Sequence, residues 1–270
     1  MNKIRAVLKI ILFVVLTCVV VPLQMLYALC QRLLHIKPCQ QSPLVQFWYR
    51  SVTRILNIRI QHNATPVPAN RQYLYISNHT SYLDIMVLGG LLPPFFVAKA
   101  DTADWPIFGF LIKTGGTIFV SRKRALVRQQ MALFKTELQN GKHLLLFPEG
   151  TTSNGCVVLP FKASLLNVLY DGDMPPIAVV PVCLTYLAIN GKAFTGQADK
   201  DALAWYADME LLPHLWEVFQ LRSIDVRVDV LPLLETTDYP DAKILTARGE
   251  AIIRQIFDAN APTPFDNPGK

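Results

Sequence analysis

Two kinds of apolar patterning divide this chain. Ile10 through Cys30 carries no charged residue, and at about 1.5 Å per residue a helix of that run matches the ~30 Å hydrocarbon core of a bilayer. Pro22 lies in mid-run, where it is expected to kink a continuous helix. No small-x-small cleavage site follows, so a secretory signal is not indicated. Lys3, Arg5 and Lys9 precede the run and Arg32, Lys37, Arg50 and Arg54 follow it, so the basic flanks give no orientation. A second segment, Pro43–Leu56, sets Leu44, Val45, Phe47, Val52 and Ile55 against Arg50 and Arg54, with Trp48 and Tyr49 suited to the interfacial zone. Either the first helix spans the membrane, or the pair forms a hairpin lying in one leaflet; charge on both flanks favours the single leaflet.

From Tyr73 onward the spacing changes. Short β-rich runs occur at Tyr73–Ser77, Phe95–Lys99, Thr117–Val120, His143–Phe147, Ile177–Tyr186 and Ile224–Leu231. Helical patterns separate them at Leu83–Leu91, Arg124–Asn140, Lys162–Tyr170, Ala202–Gln220 and Asp241–Phe257. This alternation predicts an α/β fold: a mostly parallel mixed sheet covered by helices, preceded by an N-terminal membrane-associated helical segment. The expected divisions are an anchoring segment 1–58, a catalytic domain 59–259 and a tail 260–270, rich in Pro and Asn and expected to fray.

Composition sharpens the membrane reading. The 270 residues are 51% hydrophobic and 17% charged, which excludes a disordered chain and exceeds what one soluble core needs. The net charge of +6 suits nucleic acid or an anionic membrane surface, and the hydrophobic surplus selects membrane lipids over nucleic acid. Five scattered cysteines without a C-x-x-C read as reduced thiols facing a cytosol, with no metal site indicated.

The sharpest chemical signal is Ser77-Asn78-His79-Thr80-Ser81-Tyr82-Leu83-Asp84, directly after the Tyr73–Ser77 run. On a regular helix His79 and Asp84 would lie about 140° apart. They meet only if His79 sits in the strand-to-helix turn and Asp84 in the first helical turn. Ser81-x-x-Asp84, a capping-box-like pattern, opens a helix at that point. Alone, Asp84 reads more readily as a capping residue and His79 as a structural histidine.

Three further blocks decide between these readings. Asn78-His79 followed by Asp84, then Gly116-Thr117-Ile118-Phe119-Val120-Ser121-Arg122, Phe147-Pro148-Glu149-Gly150-Thr151 and Val180-Pro181-Val182, resemble in order the motifs of the glycerolipid acyltransferases, typified by 1-acyl-glycerol-3-phosphate acyltransferases. Lys99 and Trp105 to Gly109 also fall where relatives carry similar segments, so the likeness covers about residues 70 to 190. The resemblance implies an enzyme that moves a fatty acyl group from acyl-CoA or acyl-carrier protein to a lysolipid hydroxyl, without a cofactor. It implies His79 as base, Arg122 on an acceptor phosphate, and Glu149 with Thr151 near the head group; Asn78, Gly150 and Thr152 join the expected substrate-binding set. A short chain with an N-terminal anchor is similar to enzymes of the cytoplasmic face of the bacterial inner membrane.

That chemistry agrees with the residues themselves. A hydroxyl needs a base as it attacks, neutral imidazole suits the task, and a carboxylate can fix its tautomer. The tetrahedral oxyanion needs fixed donors, for which backbone amides of the His79 turn or of the Gly150 turn are candidates. No acyl-enzyme is required, and Cys156, with no His beside it in sequence, reads as a small hydrophobe. One departure matters: phosphatidate-forming relatives usually carry Arg after Glu-Gly-Thr, where this chain has Thr152. A lost charge-assisted contact of roughly 1.5–3 kcal/mol argues against lysophosphatidate and towards lysophospholipids with larger head groups or lyso-ornithine lipids.

A lipase or thioesterase is disfavoured because no G-x-S-x-G occurs, and nucleotide-dependent transfer because neither a P-loop nor G-x-G-x-x-G occurs. A non-catalytic lipid-binding protein would need the apolar N-terminus and basic balance but not His79.

Overall fold

A computed structural model describes residues 2–63, 71–105, 108–120 and 124–260. Helix α1 (Asn2–Leu33) runs through Pro22, and α2 (Pro43–Leu56) follows, started by Ser42, whose side chain accepts the Val45 N–H. The body then follows in order: β1 (Ile58–Asn63), β2 (Tyr73–Ser77), α3 (Leu83–Leu91), β3 (Phe95–Lys99), α4 (Phe108–Thr114), β4 (Ile118–Val120), α5 (Arg124–Gln139), β5 (Leu144–Leu146), β6 (Ala178–Ile189), β7 (Lys192–Ala193), α6 (Gln197–Asp201), α7 (Leu211–Gln220), β8 (Ile224–Val230) and α8 (Ala242–Asn260).

The strands form one sheet of order β1-β8-β6-β2-β5-β3-β4, with β7 paired to β6. Neighbours pair in parallel except β6 with β7 and β6 with β8. The expected fold class therefore holds. Both faces are covered, which is why β2 reads as an unbroken apolar run: all five of its residues are buried. Tyr73 and Tyr75 face a core shared with α2, α3 and α7, while Leu74 and Ile76 face one shared with α5 and α8. The α2 helix presses closely on α3. A Cβ at Gly89 would lie 2.5 Å from ring carbons of Tyr49, so only glycine permits that approach.

Helix α1 is long and apolar enough to cross a membrane. Its sides are reversed relative to a soluble helix: Lys9 and Gln24 are buried, while Leu8, Ile11, Leu12, Val15, Val19 and Leu26 are exposed. An apolar surface turned outward over that length fits association with a membrane. Lys9 Nζ donates to the carbonyls of Leu56 (3.1 Å) and Leu221 (2.8 Å), where α2 and α7 end and a cation is favoured. Thus α1 is pinned to the body near its start.

Some expected elements differ. Lys162–Tyr170 is helical only as a 3-10 segment, Leu166–Tyr170. Ala202–Gln220 is not one helix: the chain leaves α6 at Asp201 and resumes at Leu211, two residues before Pro213. Proline lacks the N–H an interior turn needs and is tolerated best in a first turn, which is where Pro213 falls in α7. The β1, β7, α4 and α6 elements have no counterpart in the sequence reading. Arg122, and with it Ser121 and Lys123, lies outside the described residues.

Candidate active site

The turn that carries His79 joins β2 to α3. Asp84 occupies the first turn of α3 and is fully buried, yet four donors surround it. Its Oδ2 accepts the N–H groups of Thr80 (2.7 Å) and Ser81 (2.9 Å) and the Nδ1–H of His79 (2.7 Å); Oδ1 accepts the hydroxyl of Tyr186 (2.7 Å). Half of a capping box is present: Asp84 reaches back to the Ser81 N–H, while Ser81 Oγ receives the Leu83 N–H (3.4 Å) instead of that of Asp84.

With Asp84 accepting throughout, Nδ1 of His79 carries the proton and Nε2 is left with its lone pair. The imidazole stacks on Phe147, ring centroids 3.8 Å apart at 10°, and its side chain is 17% exposed. Orientation is therefore set on two sides, by a carboxylate and by an aromatic face. A base held this way can take a proton from a hydroxyl placed at Nε2.

The loop after β5 holds the same histidine by its backbone. The His79 N–H donates to Glu149 Oε1 (2.7 Å) and its carbonyl accepts from the Ser153 N–H (2.8 Å). Gly150 permits the turn with φ of +69°. Glu149 is 2% exposed, and its Oε2 accepts the Leu159 N–H (3.0 Å). Burial pushes its carboxyl up to about 8, against the pull of those two N–H donors.

Two expected substrate-binding residues thus turn inward. Glu149 ties the loop to the His79 turn. Asn78, also buried, exchanges two bonds with Leu184 of β6, its Nδ2 donating to the carbonyl (2.8 Å) and its Oδ1 accepting the N–H (2.9 Å). Gly150, Thr151 and Thr152 do line the cavity beside His79. The backbone amides of His79, Thr80 and Ser81 are all committed to carboxylates, which removes the His79 turn as a source of oxyanion donors.

The cavity has a volume of about 630 Å³. It runs from His79 past Tyr82, Met86 and Phe96 to Phe13 of α1, Trp48 of α2 and Leu215 of α7, so it opens among the elements that carry the exposed apolar surface. Lys99 and Lys162 line it too.

Sequence reasoning missed several residues here. Tyr186 continues the in-phase positions Val180, Val182 and Leu184 of β6, and a tyrosine in that aliphatic series was the available signal. Tyr82 donates to Nδ1 of His214 in α7 (2.9 Å), whose burial lowers its basicity, and His214 Nε2–H in turn reaches the Asp201 carbonyl (3.2 Å). Trp205, between α6 and α7, donates its backbone N–H to the Thr80 carbonyl (3.0 Å). Nothing in the local pattern pointed to these last contacts.

A His–Asp pair at the end of a central strand, opening on an apolar cavity, is an arrangement suited to acyl transfer. Comparison with known proteins agrees. A family model described as Acyltransferase matches residues 58–185. The chain is 32% identical to the lyso-ornithine lipid O-acyltransferase of Brucella abortus over 96% of each chain. It is 32% identical to that of Rhizobium meliloti, over 84% of this chain and 77% of the relative. It is also 30% identical to the 1-acyl-sn-glycerol-3-phosphate acyltransferase of Neisseria meningitidis, over 78% of this chain and 80% of the relative. The crystal structure of the acyltransferase PlsC from Thermotoga maritima shares the fold, with a TM-score of 0.61 at 17% identity over 96% of this chain and 97% of that one. The chain belongs to the acyltransferase family.

Proposed function

We propose that this enzyme transfers a fatty acyl group from acyl-CoA or acyl-carrier protein to the hydroxyl of a lysolipid whose head group is an amino acid, of the lyso-ornithine type. The observation that carries the reaction is the His79–Asp84 pair at 2.7 Å facing the apolar cavity. In this reading Nε2 of His79 removes the hydroxyl proton as the oxygen attacks the thioester carbonyl. Asp84 stabilises the imidazolium, and the tetrahedral oxyanion collapses with loss of the thiolate, which takes the proton back from His79. The backbone N–H groups of Thr151 and Thr152 are the oxyanion donors; both residues line the cavity, and neither amide meets an acceptor within the described residues. Membrane lipids surround α1, and the site faces the cytoplasmic side of a bacterial inner membrane.

Two lines support the acceptor. Thr152 stands where phosphatidate-forming relatives usually have Arg, and the Brucella relative aligned over nearly the whole chain is a lyso-ornithine lipid O-acyltransferase. The test is a panel of lysolipids offered to purified enzyme with acyl-CoA or acyl-carrier protein, alongside His79→Ala. Ornithine lysolipid is expected to be acylated faster than lysophosphatidate, and His79→Ala to be nearly inactive. A clear preference for lysophosphatidate would overturn the acceptor; equal rates in both proteins would overturn the base.

A further inference from the structure

A second cavity, of about 370 Å³, lies at the opposite edge of the sheet from His79. Phe95 opens β3, Lys142 precedes β5 and Gly116 precedes β4, and parallel pairing links these strands to β2, whose far end leads into His79. The other wall is α1, through Gln24, Ala28 and Gln31, spaced to share one face of a helix. Gln31 directly follows the uncharged run Ile10–Cys30, and Arg32 and Lys37 come next. The cavity thus sits where an apolar helix gives way to basic residues, the level at which head-group phosphates lie.

Its lining carries positive charge. The first 83 residues hold nine Lys and Arg and no Asp or Glu, and among the described residues no carboxylate lines the cavity. Lys142 pairs with Glu137 at 2.5 Å, whereas Lys113, in the last turn of α4, has no ion-pair partner among the described residues. Nor is Lys113 needed to cap that helix. The carbonyls of Leu111, Ile112 and Lys113 accept the N–H groups of Gly115, Thr117 and Gly116, and that of Gly115 accepts from Gln41 Nε2. Gln24 is only 9% exposed; its Oε1 accepts the Ser42 hydroxyl, while its amide N–H groups meet no acceptor among the described residues. An open amide donor in the same cavity as an unpaired ammonium suits an anion. Met25 also lines the cavity and is half exposed, and Leu29, one turn on, continues its apolar side outward.

We propose that this cavity binds the phosphate of an anionic membrane phospholipid, held by Lys113 and the Gln24 amide, with an acyl chain along Met25 and Leu29. This rests on α1 lying among membrane lipids, as proposed above. With no carboxylate in the lining, a head group that carries its own ammonium gains no partner for it. Phosphatidylglycerol is therefore favoured over phosphatidylcholine.

The full chain is first floated with vesicles of phosphatidylcholine alone and with phosphatidylglycerol added. Binding of each lipid, and of soluble glycerol phosphate, is then measured in detergent by native mass spectrometry for wild type, Lys113→Gln, Lys113→Arg and Ala28→Phe. Wild type is expected to bind phosphatidylglycerol about 3- to 30-fold more tightly than phosphatidylcholine. The preference should fall towards one in Lys113→Gln and persist in Lys113→Arg, and Ala28→Phe, whose ring fills the cavity, should bind neither lipid. Neither residue lines the cavity at His79, so kcat in detergent and the lipid-free melting temperature are expected to stay at wild-type values. No preference in wild type, or an unchanged preference in Lys113→Gln, overturns the site. Glycerol phosphate bound as tightly as the lipid would make it a site for soluble anions and overturn the lipid assignment. A chain that floats with neither kind of vesicle overturns the membrane reading of α1 and the site with it.

Discussion

The backbone N–H of His79 donates to the buried carboxyl of Glu149, seventy positions later in the chain, at 2.7 Å. Because burial raises that carboxyl to about 8, the native state holds its proton more tightly than the unfolded chain, whose value is near 4.5. The stabilisation is fully present below the unfolded value and is lost as pH rises through 8, with a slope of up to about 1.4 kcal/mol per pH unit. Thermal melts between pH 5 and 8.5 should show this decline in wild type and its absence in Glu149→Gln. Loosening of the His79 turn should also lower kcat in Glu149→Gln by roughly 10- to 100-fold.

Removing the imidazole itself has a larger effect. His79→Ala is expected to lower kcat by about 10²–10⁴-fold with little change in KM for either substrate. Steady-state kinetics with both substrates varied would show it.

Tyr186→Phe deletes one of four donors to Asp84 and leaves Oδ1 without its partner in a fully buried site. About 1–3 kcal/mol of stability should be lost, together with roughly tenfold in kcat. Denaturant unfolding and initial rates, measured on the same preparation, would separate the two effects.

Asn78→Ala tests whether this residue meets substrate or holds the sheet. Its loss leaves the N–H and carbonyl of Leu184 unpartnered between β2 and β6, at a cost of about 2–4 kcal/mol. The melting temperature should fall while KM for the acceptor in the folded protein stays near wild type; a large rise in KM without destabilisation would contradict the geometry.

Thr152→Arg places a guanidinium on the cavity wall. Activity toward lysophosphatidate, relative to ornithine lysolipid, is expected to rise by about tenfold or more, as one charge-assisted contact to phosphate would give. Competition between the two acceptors in one assay reads the ratio directly.

The parts legible in the sequence were those whose pattern is local. Tyr73–Ser77, Leu83–Leu91 and Phe95–Lys99 match their sequence-derived limits, because a fully buried strand and a helix between turns write their periods into adjacent residues. The His79–Asp84 pairing was legible for the same reason, with both residues on one turn. The edge strand Ile58–Asn63 was missed: its half-exposed alternation follows directly on α2 and looks like frayed helix. The single helix expected over Ala202–Gln220 failed because the packing of Trp205 on Thr80 and the start of α7 near Pro213 are tertiary matters. The inward turn of Asn78 and Glu149 was equally hidden, since their partners lie at Leu184, His79 and Leu159, and polar residues beside a candidate base invite a ligand-binding reading.

The stretch matched by the family model ends at residue 185, and the hydroxyl that completes the surroundings of Asp84 belongs to residue 186. A fragment cut at the motif boundary would contain every recognisable signature yet leave its carboxylate incompletely solvated by protein.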